Sequence, residues 1–230
     1  MLSLLLACRP IPEVHTLSSL EPGVVVVPVS VGDRSLSMMI DTGAELTALT
    51  ARGASALGLS AGEGQPSRKV QTANGTVDAP VVRLPPLTLA GRTHDTATGL
   101  LCADCPEAID GLIGMNVLAA YDVFVDADRN TVTLSPRSEP PDQRRDVAPW
   151  LSVTTRRKPL ADAPGVRIAV TNSSPWPIEQ LQLSVACAPR VPALFADLGP
   201  GEHRALQINT PDEQSCADLR ALTVAARWSP

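Results

Sequence analysis

Apolar and β-branched residues recur along this chain in short runs that are separated by turn-forming residues. Runs of this length, bounded by Gly, Pro, Asn or Asp, are typical of β-strands. Short helices are predicted over residues 51–59, ending near Gly58, and over 116–120. In the first 136 residues the pattern predicts strands at residues 24–31, 36–40, 46–50, 70–73, 77–84, 87–90, 93–98, 100–101, 123–126 and 131–134. The sequence therefore predicts a mainly β protein.

The strand pattern divides the chain into four segments. Residues 1–22 are predicted to be a signal and tether, and residues 23–136 a first β domain. The Pro-rich, charged stretch 137–149 has the composition of an inter-domain linker. Further strands at residues 166–172, 178–185, 203–209 and 219–228 predict a small β-sandwich-like domain over residues 150–230.

Composition supports a folded, strand-rich chain. Hydrophobic residues make up 44% and charged residues 19%, which is ordinary for a globular protein. The 22 prolines disfavour long helices. A net charge of −5 gives no reason to expect nucleic acid as a partner. The short cationic run at residues 156–158 favours a solvated loop over a ligand-binding patch.

The N-terminus has an apolar run that ends in Leu5-Leu6-Ala7-Cys8. It resembles the end of a bacterial lipoprotein signal, which implies lipidation of Cys8 and export to the periplasmic side of the cell envelope, with the lipid as membrane anchor. The run is shorter than usual and no basic residues precede it. The alternative is a buried or frayed N-terminal strand with an incidental thiol.

The four remaining cysteines are an even number, which suits an oxidising compartment. Cys102 and Cys105 form a Cys-x-x-Cys motif, but neither a βαβ setting nor a second ligand pair accompanies it, so a small structural disulfide is preferred over redox or zinc chemistry. Cys187 and Cys216 could form a second bridge. Sequence alone does not fix the connectivity.

The sharpest chemical feature is Asp41-Thr42-Gly43, directly after an apolar strand. Gly43 permits a sharp turn that presents the carboxylate at the end of the sheet. Further along, Asn74-Gly75 is the strongest hairpin signal of the chain. The apolar pair Leu112-Ile113 with Gly114 then precedes a short helix and a final strand pair.

These features, in this order over residues 24–135, resemble the retropepsin-like aspartic peptidases, in particular the bacterial single-domain members. The resemblance implies a closed β-barrel, catalysis by Asp41 with Thr42 and Gly43, and a substrate-covering flap at Ala73, Asn74 and Gly75. It also implies that retropepsin-like subunits pair and that Thr42 locks the two loops together. On local grounds alone the hairpin would be a simple tight turn. Leu112, Ile113 and Gly114 are expected to pack around the catalytic loop.

The chemistry of such a site explains why one chain is not enough. Peptide hydrolysis by this route uses two carboxylates about 3 Å apart that share one proton, and it needs no metal or cofactor. The chain contains one Asp-Thr-Gly. A two-fold homodimer would bring Asp41 from each subunit together. The sequence thus predicts an aspartic endopeptidase that acts on peptide or protein substrates as a homodimer.

Other interpretations remain open. The fold could serve a catalytically silent peptide-binding or scaffold lipoprotein, or the C-terminal domain could carry the main role in adhesion or docking. Asp110 is not expected to be the second catalytic acid. His15, His94 and His203 are isolated and are expected to be structural or exposed. No metal site is predicted, and no serine-hydrolase, zinc-protease or phosphate-loop motif is present.

Overall fold

The protein is represented by a computed structural model, which describes residues 13–16, 24–62, 65–72, 75–95, 97–102, 105, 108–126, 128–129, 131–138, 143–158, 164–186, 191–195, 197–210 and 221–229. The described residues fall into two compact units. The first lies within Met1–Ala61 and Val82–Pro141, and the second within Gly62–Val81 and Asp142–Pro230. The predicted mainly β class is confirmed.

The first unit consists of short strands and two short helices. The helices are α1 (Ala51–Ala56) and α2 (Met115–Leu118). Its strands are β1 (Glu13–Thr16), β2 (Val26–Val31), β3 (Arg34–Ile40), β4 (Thr47–Thr50), β7 (Leu87–Leu89), β8 (Arg92–His94), β9 (Thr98–Cys102), β10 (Gly111–Ile113), β11 (Tyr121–Asp126) and β12 (Thr131–Pro136).

The larger sheet of this unit places a parallel strand beside the predicted catalytic loop. Seven strands follow the order β9-β4-β10-β3-β2-β7-β8. Strand β10 pairs in parallel with β3 and antiparallel with β4. Among the described residues, no pairing closes this sheet into the expected barrel. The end of β3 and the end of β10 therefore meet at one edge, because parallel strands end on the same side.

Alternating burial along the strands builds the core of the first unit. In β2 the residues Val27, Val29 and Val31 are buried and their neighbours are more accessible, which is the period of two expected for a strand with one covered face. Ile113 and Leu134, from β10 and β12, are fully buried in the same cluster. This apolar layer supports the strand ends that carry the predicted site.

A second, three-stranded sheet has the order β1-β12-β11. Glu13–Thr16 pairs antiparallel with residues 131–134. The segment 1–22, predicted as a signal and tether, therefore contains a strand. Its four residues carry only a weak local signal, and the strand is defined by its pairing with β12.

The second unit contains the predicted flap hairpin and two three-stranded sheets. The hairpin is formed by β5 (Ser67–Thr72) and β6 (Gly75–Arg83), of which residues 82–83 belong to the first unit. The sheets have the orders β13-β14-β17 and β16-β15-β18, as expected for a sandwich-like domain. Their strands are β13 (Leu151–Arg157), β14 (Gly165–Asn172), β15 (Ile178–Val185), β16 (Val191–Leu194), β17 (His203–Asn209) and β18 (Ala221–Trp228).

The unit boundaries differ from the predicted segments in two places. Residues 62–81 group with the C-terminal residues, although the sequence analysis assigns them to the first domain. The predicted linker 137–149 contains helix α3 (Arg144–Val147) and the start of the 3₁₀ helix Ala148–Trp150. Val147 is fully buried, so this part of the segment is packed rather than a solvated connection.

The cationic run at residues 156–158, expected in a loop, begins on strand β13. Arg156 is paired with Arg167 of β14, and both side chains are exposed. Up to Arg156 the exposed residues of β13 alternate with less accessible ones, which is the period of two expected for a strand.

Candidate active site

Asp41 lies at the first position after β3, where the chain leaves the sheet. Its amide donates to the carbonyl oxygen of Ile113 at 3.0 Å, which extends the β3–β10 pairing by one hydrogen bond. The amide of Ala44 then donates to the Asp41 carbonyl oxygen at 3.3 Å and closes a tight turn. The turn fixes the backbone from which the carboxylate projects.

The Asp41 carboxylate is oriented by the amides of its own loop. Oδ1 accepts hydrogen bonds from the amides of Gly43 at 2.9 Å and Ala44 at 3.2 Å. The other oxygen, Oδ2, accepts no hydrogen bond from any residue that the structure describes. One oxygen is thus held and the other is available, which is the arrangement that acid–base chemistry at a carboxylate requires.

Gly114, the last residue of the second predicted motif, and the two residues after it contact the chain that follows Asp41. The amides of Met115 and Asn116, in the first turn of α2, donate to the carbonyl oxygens of Ala44 at 2.8 Å and Glu45 at 3.1 Å. The backbone of Gly114 approaches Leu46 so closely that an added Cβ would lie 2.3 Å from the Leu46 carbonyl carbon. Only glycine fits at this contact.

A buried polar network that the sequence analysis did not anticipate holds the two motifs together. Oδ1 of Asn116 accepts from the amide of Thr47 at 2.8 Å and from its hydroxyl at 3.0 Å. Nδ2 of Asn116 donates to the carbonyl oxygen of Thr98 at 2.9 Å. The Thr47 hydroxyl in turn accepts from the amide of Gly114 at 3.2 Å. The available signal was an amide side chain inside the apolar segment that follows the glycine.

Asp110 has a structural role. Its Oδ2 accepts from the amide of Ser37 at 2.8 Å, and its Oδ1 accepts from Nε of Arg52 at 2.7 Å. Its carbonyl oxygen accepts from the amide of Thr50 at 3.0 Å. Both carboxylate oxygens are therefore engaged, as expected for a residue that connects β3, β4 and α1.

Thr42 and Gly43, the other predicted catalytic-loop residues, are exposed in the single chain. The Thr42 hydroxyl makes no hydrogen bond to any described residue. Leu112 is half-buried and Ile113 is fully buried on β10. The structure thus brings both motifs together and leaves the tip of the Asp-Thr-Gly loop accessible.

The predicted flap residues are only partly described. Thr72 and Gly75 are register partners at the ends of β5 and β6, and Gly75 has a φ of +125°, a conformation that favours glycine. Ala73 and Asn74 lie outside the described residues. Gly75, which the Asn-Gly signal predicts in the turn, is the first residue of β6.

Two cysteines are described, and they form a disulfide. Cys102 ends β9 and is bonded to Cys105, with a Cα–Cα distance of 5.5 Å. The two cysteines are three positions apart in the sequence, and the bridge is the small disulfide that the Cys-x-x-Cys motif predicted. The other cysteines, Cys8, Cys187 and Cys216, lie outside the described residues.

The histidines make contacts of a structural kind. Nε2 of His94 is 2.8 Å from the Tyr121 hydroxyl, which donates to the carbonyl oxygen of Leu89 at 2.7 Å. Burial, with a smaller contribution from the positive charge of Arg92, lowers the pKa of His94 to about 4. His203 Nδ1 is 2.9 Å from the Thr171 hydroxyl. The His15 backbone is paired with Val132 in the small sheet.

Within the described ranges, no group of three or more His, Cys, Asp or Glu side chains could hold a metal ion. None of the described helices is long and apolar enough to cross a membrane.

Comparison with known proteins gives a family match for part of the chain. Residues 27–117 match the family model described as "Aspartyl protease", and this range includes both motifs. No curated protein matches the sequence. Among solved structures the chain is similar to a retropepsin-like aspartic protease from Rickettsia conorii, at 23% identity and a TM-score of 0.46, over 54% of this chain and 90% of that chain. The assignment depends on the family model, because so distant a likeness adds no argument. Residues 27–117 of this chain, with Asp41 directly after β3, are thus similar to the aspartyl proteases.

Proposed function

We propose that the protein is an aspartic endopeptidase in which Asp41 from each of two subunits forms the catalytic pair. The observation that carries this proposal is the Asp41 carboxylate, with Oδ1 held by loop amides and Oδ2 unengaged among the described residues. It lies within the residues that match the aspartyl protease family.

The reaction follows from a shared proton between two carboxylates. The ionised Asp41 takes a proton from a water molecule, which attacks the scissile carbonyl carbon. The protonated Asp41 of the other subunit donates to the carbonyl oxygen and so stabilises the tetrahedral intermediate. This second carboxylate then takes a proton from a hydroxyl of the intermediate while the first Asp41 donates its proton to the leaving nitrogen, and the C–N bond breaks. Two carboxylates at about 3 Å cannot both be ionised, so the pair retains one proton over an acidic pH range. The Gly43 and Ala44 amides supply the fixed geometry that this exchange needs.

The homodimer is part of the proposal because the sequence supplies a single Asp-Thr-Gly. In a two-fold assembly, each subunit contacts the other through the same surface. The exposed Thr42 and Gly43 are suited to such a contact, since their groups are accessible in one chain. The β5–β6 hairpin, with Gly75 beside its tip, is proposed as the substrate-covering flap, where an extended peptide could pair with a strand edge.

The test is cleavage of a peptide library by the wild-type protein and by Asp41→Asn. We expect the variant to remain folded and dimeric and to lose cleavage. Asp33→Asn is the matched control, because Asp33 lies exposed in the turn between β2 and β3. Cleavage by Asp41→Asn at the wild-type rate would refute the proposal.

Mixing the two proteins tests the shared site directly. If each active site takes one Asp41 from each subunit, an excess of Asp41→Asn subunits should draw wild-type subunits into inactive mixed dimers and suppress cleavage. Activity that depends only on the amount of wild-type protein would contradict a shared pair. Absence of cleavage by the wild type between pH 3 and 7, together with a monomer in sedimentation, would instead favour a peptide-binding or scaffold role.

We further propose that the protein is exported and lipid-anchored at Cys8. The support is the sequence Leu5-Leu6-Ala7-Cys8 alone. Metabolic labelling with an alkyne fatty acid, compared between wild type and Cys8→Ser, tests this. Equal labelling of both proteins would contradict it.

A further inference from the structure

The two faces of the β5–β6 hairpin differ in exposure. On β5, Ser67, Lys69 and Gln71 are exposed, whereas Arg68 and Val70 between them are half-buried. The same alternation continues on β6, where alternate residues are covered and Ala79 and Val81 are buried. A two-stranded ribbon that moved as a free lid would expose both faces to solvent. One face of this hairpin is instead packed.

Arg68 projects from the covered face and reaches the C-terminal segment. Its Nη2 donates to the carbonyl oxygen of Ala148 at 2.6 Å. Both residues belong to the second unit, which joins residues 62–81 with residues 142–230. A hydrogen bond from a guanidinium is stronger than one between neutral groups, and its geometry is more restrictive.

The acceptor belongs to a well-fixed segment. Ala148 begins the 3₁₀ helix, between the buried side chains of Val147 and Trp150. The carbonyl oxygen of Trp150 accepts a hydrogen bond from the amide of Ser173 at 2.8 Å. The indole ring of Trp150 lies edge-on to that of Trp176, with ring centroids 5.5 Å apart. The carbonyl that Arg68 contacts is therefore anchored to the packed core of the C-terminal sheets.

We propose that the C-terminal β domain holds the β5–β6 hairpin through Arg68, so that this domain limits the movement of the hairpin proposed as the flap. Arg68 is then a positioning residue, and residues 142–230 act on catalysis without contributing a reacting group. The inference rests on the proposed peptidase function for its effect on turnover. The attachment of the hairpin does not depend on that function.

The experiment compares hydrogen exchange of the full chain in wild type, Arg68→Ala and Lys69→Ala. Lys69 is the matched control: it is the adjacent cation, its side chain is on the exposed face, and it pairs within the hairpin with Asp78 at 3.2 Å. In Arg68→Ala we expect the β5–β6 amides to exchange about tenfold faster or more, because the loss of a charged hydrogen bond favours local opening. Lys69→Ala should change exchange by about twofold or less.

Cleavage kinetics provide the second measurement. A misplaced hairpin should raise KM in Arg68→Ala more than it lowers kcat, since the acid groups are unchanged. Arg68→Lys keeps a cation but loses the planar fork, and it should fall between wild type and Arg68→Ala. All three tryptophans, Trp150, Trp176 and Trp228, lie in the second unit, so an unchanged emission spectrum verifies that this unit is folded.

Each outcome decides one statement. Unchanged exchange of the hairpin in folded Arg68→Ala and Arg68→Lys would overturn the attachment. Faster exchange with unchanged KM and kcat would overturn the positioning role. A wild-type protein that cleaves no peptide would refute the peptidase proposal instead, and the exchange comparison would still show whether the C-terminal domain holds the hairpin.

Discussion

The buried amide of Asn116 should stabilise the first unit by an amount that a single substitution can measure. Asn116→Ala removes the hydrogen bonds to the Thr47 amide, the Thr47 hydroxyl and the Thr98 carbonyl. Thr47 and Thr98 are fully buried and Asn116 is 3% exposed, so water is poorly placed to replace the lost side chain. A buried backbone amide left without an acceptor costs about 1–3 kcal/mol, and each of the other two bonds contributes about 0.5–1.5 kcal/mol.

The expected loss is therefore about 2–6 kcal/mol, a large part of the roughly 5–15 kcal/mol that stabilises a typical domain. Urea unfolding followed by far-UV circular dichroism measures it, and hydrogen exchange of peptides from β4, β9 and α2 localises it. The control is Asn209→Ala, because Asn209 is exposed at the end of β17. That change should stay within about 0.5 kcal/mol. A loss below about 1 kcal/mol for Asn116→Ala would refute the reasoning that this network supports the catalytic loop.

Two further predictions concern the same unit. Gly114→Ala should cost about 1–3 kcal/mol and lower cleavage, because the new methyl group would overlap the backbone of Leu46; Gly62→Ala, whose Cβ would meet only ordinary contacts, is the control in urea unfolding. His94 has a folded-state pKa near 4 against an ordinary value of 6.5, so the unfolded chain binds its proton first as the pH falls. The free energy of unfolding should therefore have its full value above pH 6.5. It should decrease as the pH falls towards 4, by about 3 kcal/mol in total. His94→Gln should remove this part of the pH dependence in urea unfolding at several pH values, and an unchanged profile would contradict the prediction.

The sequence predicted strands correctly where their own residues show a clear strand pattern. The expected strands 178–185 and 203–209 coincide with β15 and β17. The expected strand 93–98 is instead interrupted after His94, and the chain resumes as β9 at Thr98. Strands β1, β10, β13 and β16 were not predicted. Strands β1 and β16 have four residues each and are defined by the strand beside them, and the charged end of β13 was assigned to a loop.

In the candidate site, too, the residues within one turn could be predicted from the sequence, and contacts between distant segments could not. Asp41, Thr42 and Gly43 could be identified from sequence because one turn contains them. The role of Asn116 could not, because it joins segments that are 69 and 18 residues away along the chain. The attachment of Arg68 to Ala148 was equally hidden, since the hydrogen bond spans 80 residues. No local pattern encodes such a contact.

The proposed chemistry is favoured at acidic pH, whereas the buried His94 makes the first unit less stable there. A pair of Asp41 carboxylates works while it shares one proton, a state that acidic conditions favour. His94, buried in the same unit and held neutral, makes that unit less stable as the pH falls from 6.5 towards 4. The lower limit of activity should then reflect unfolding as well as protonation of the second carboxylate. His94→Gln should extend activity to lower pH at a temperature near the wild-type unfolding midpoint, and it should leave the acid limit unchanged well below that temperature. An identical shift at both temperatures would show that His94 acts on the catalytic pair itself and not through stability.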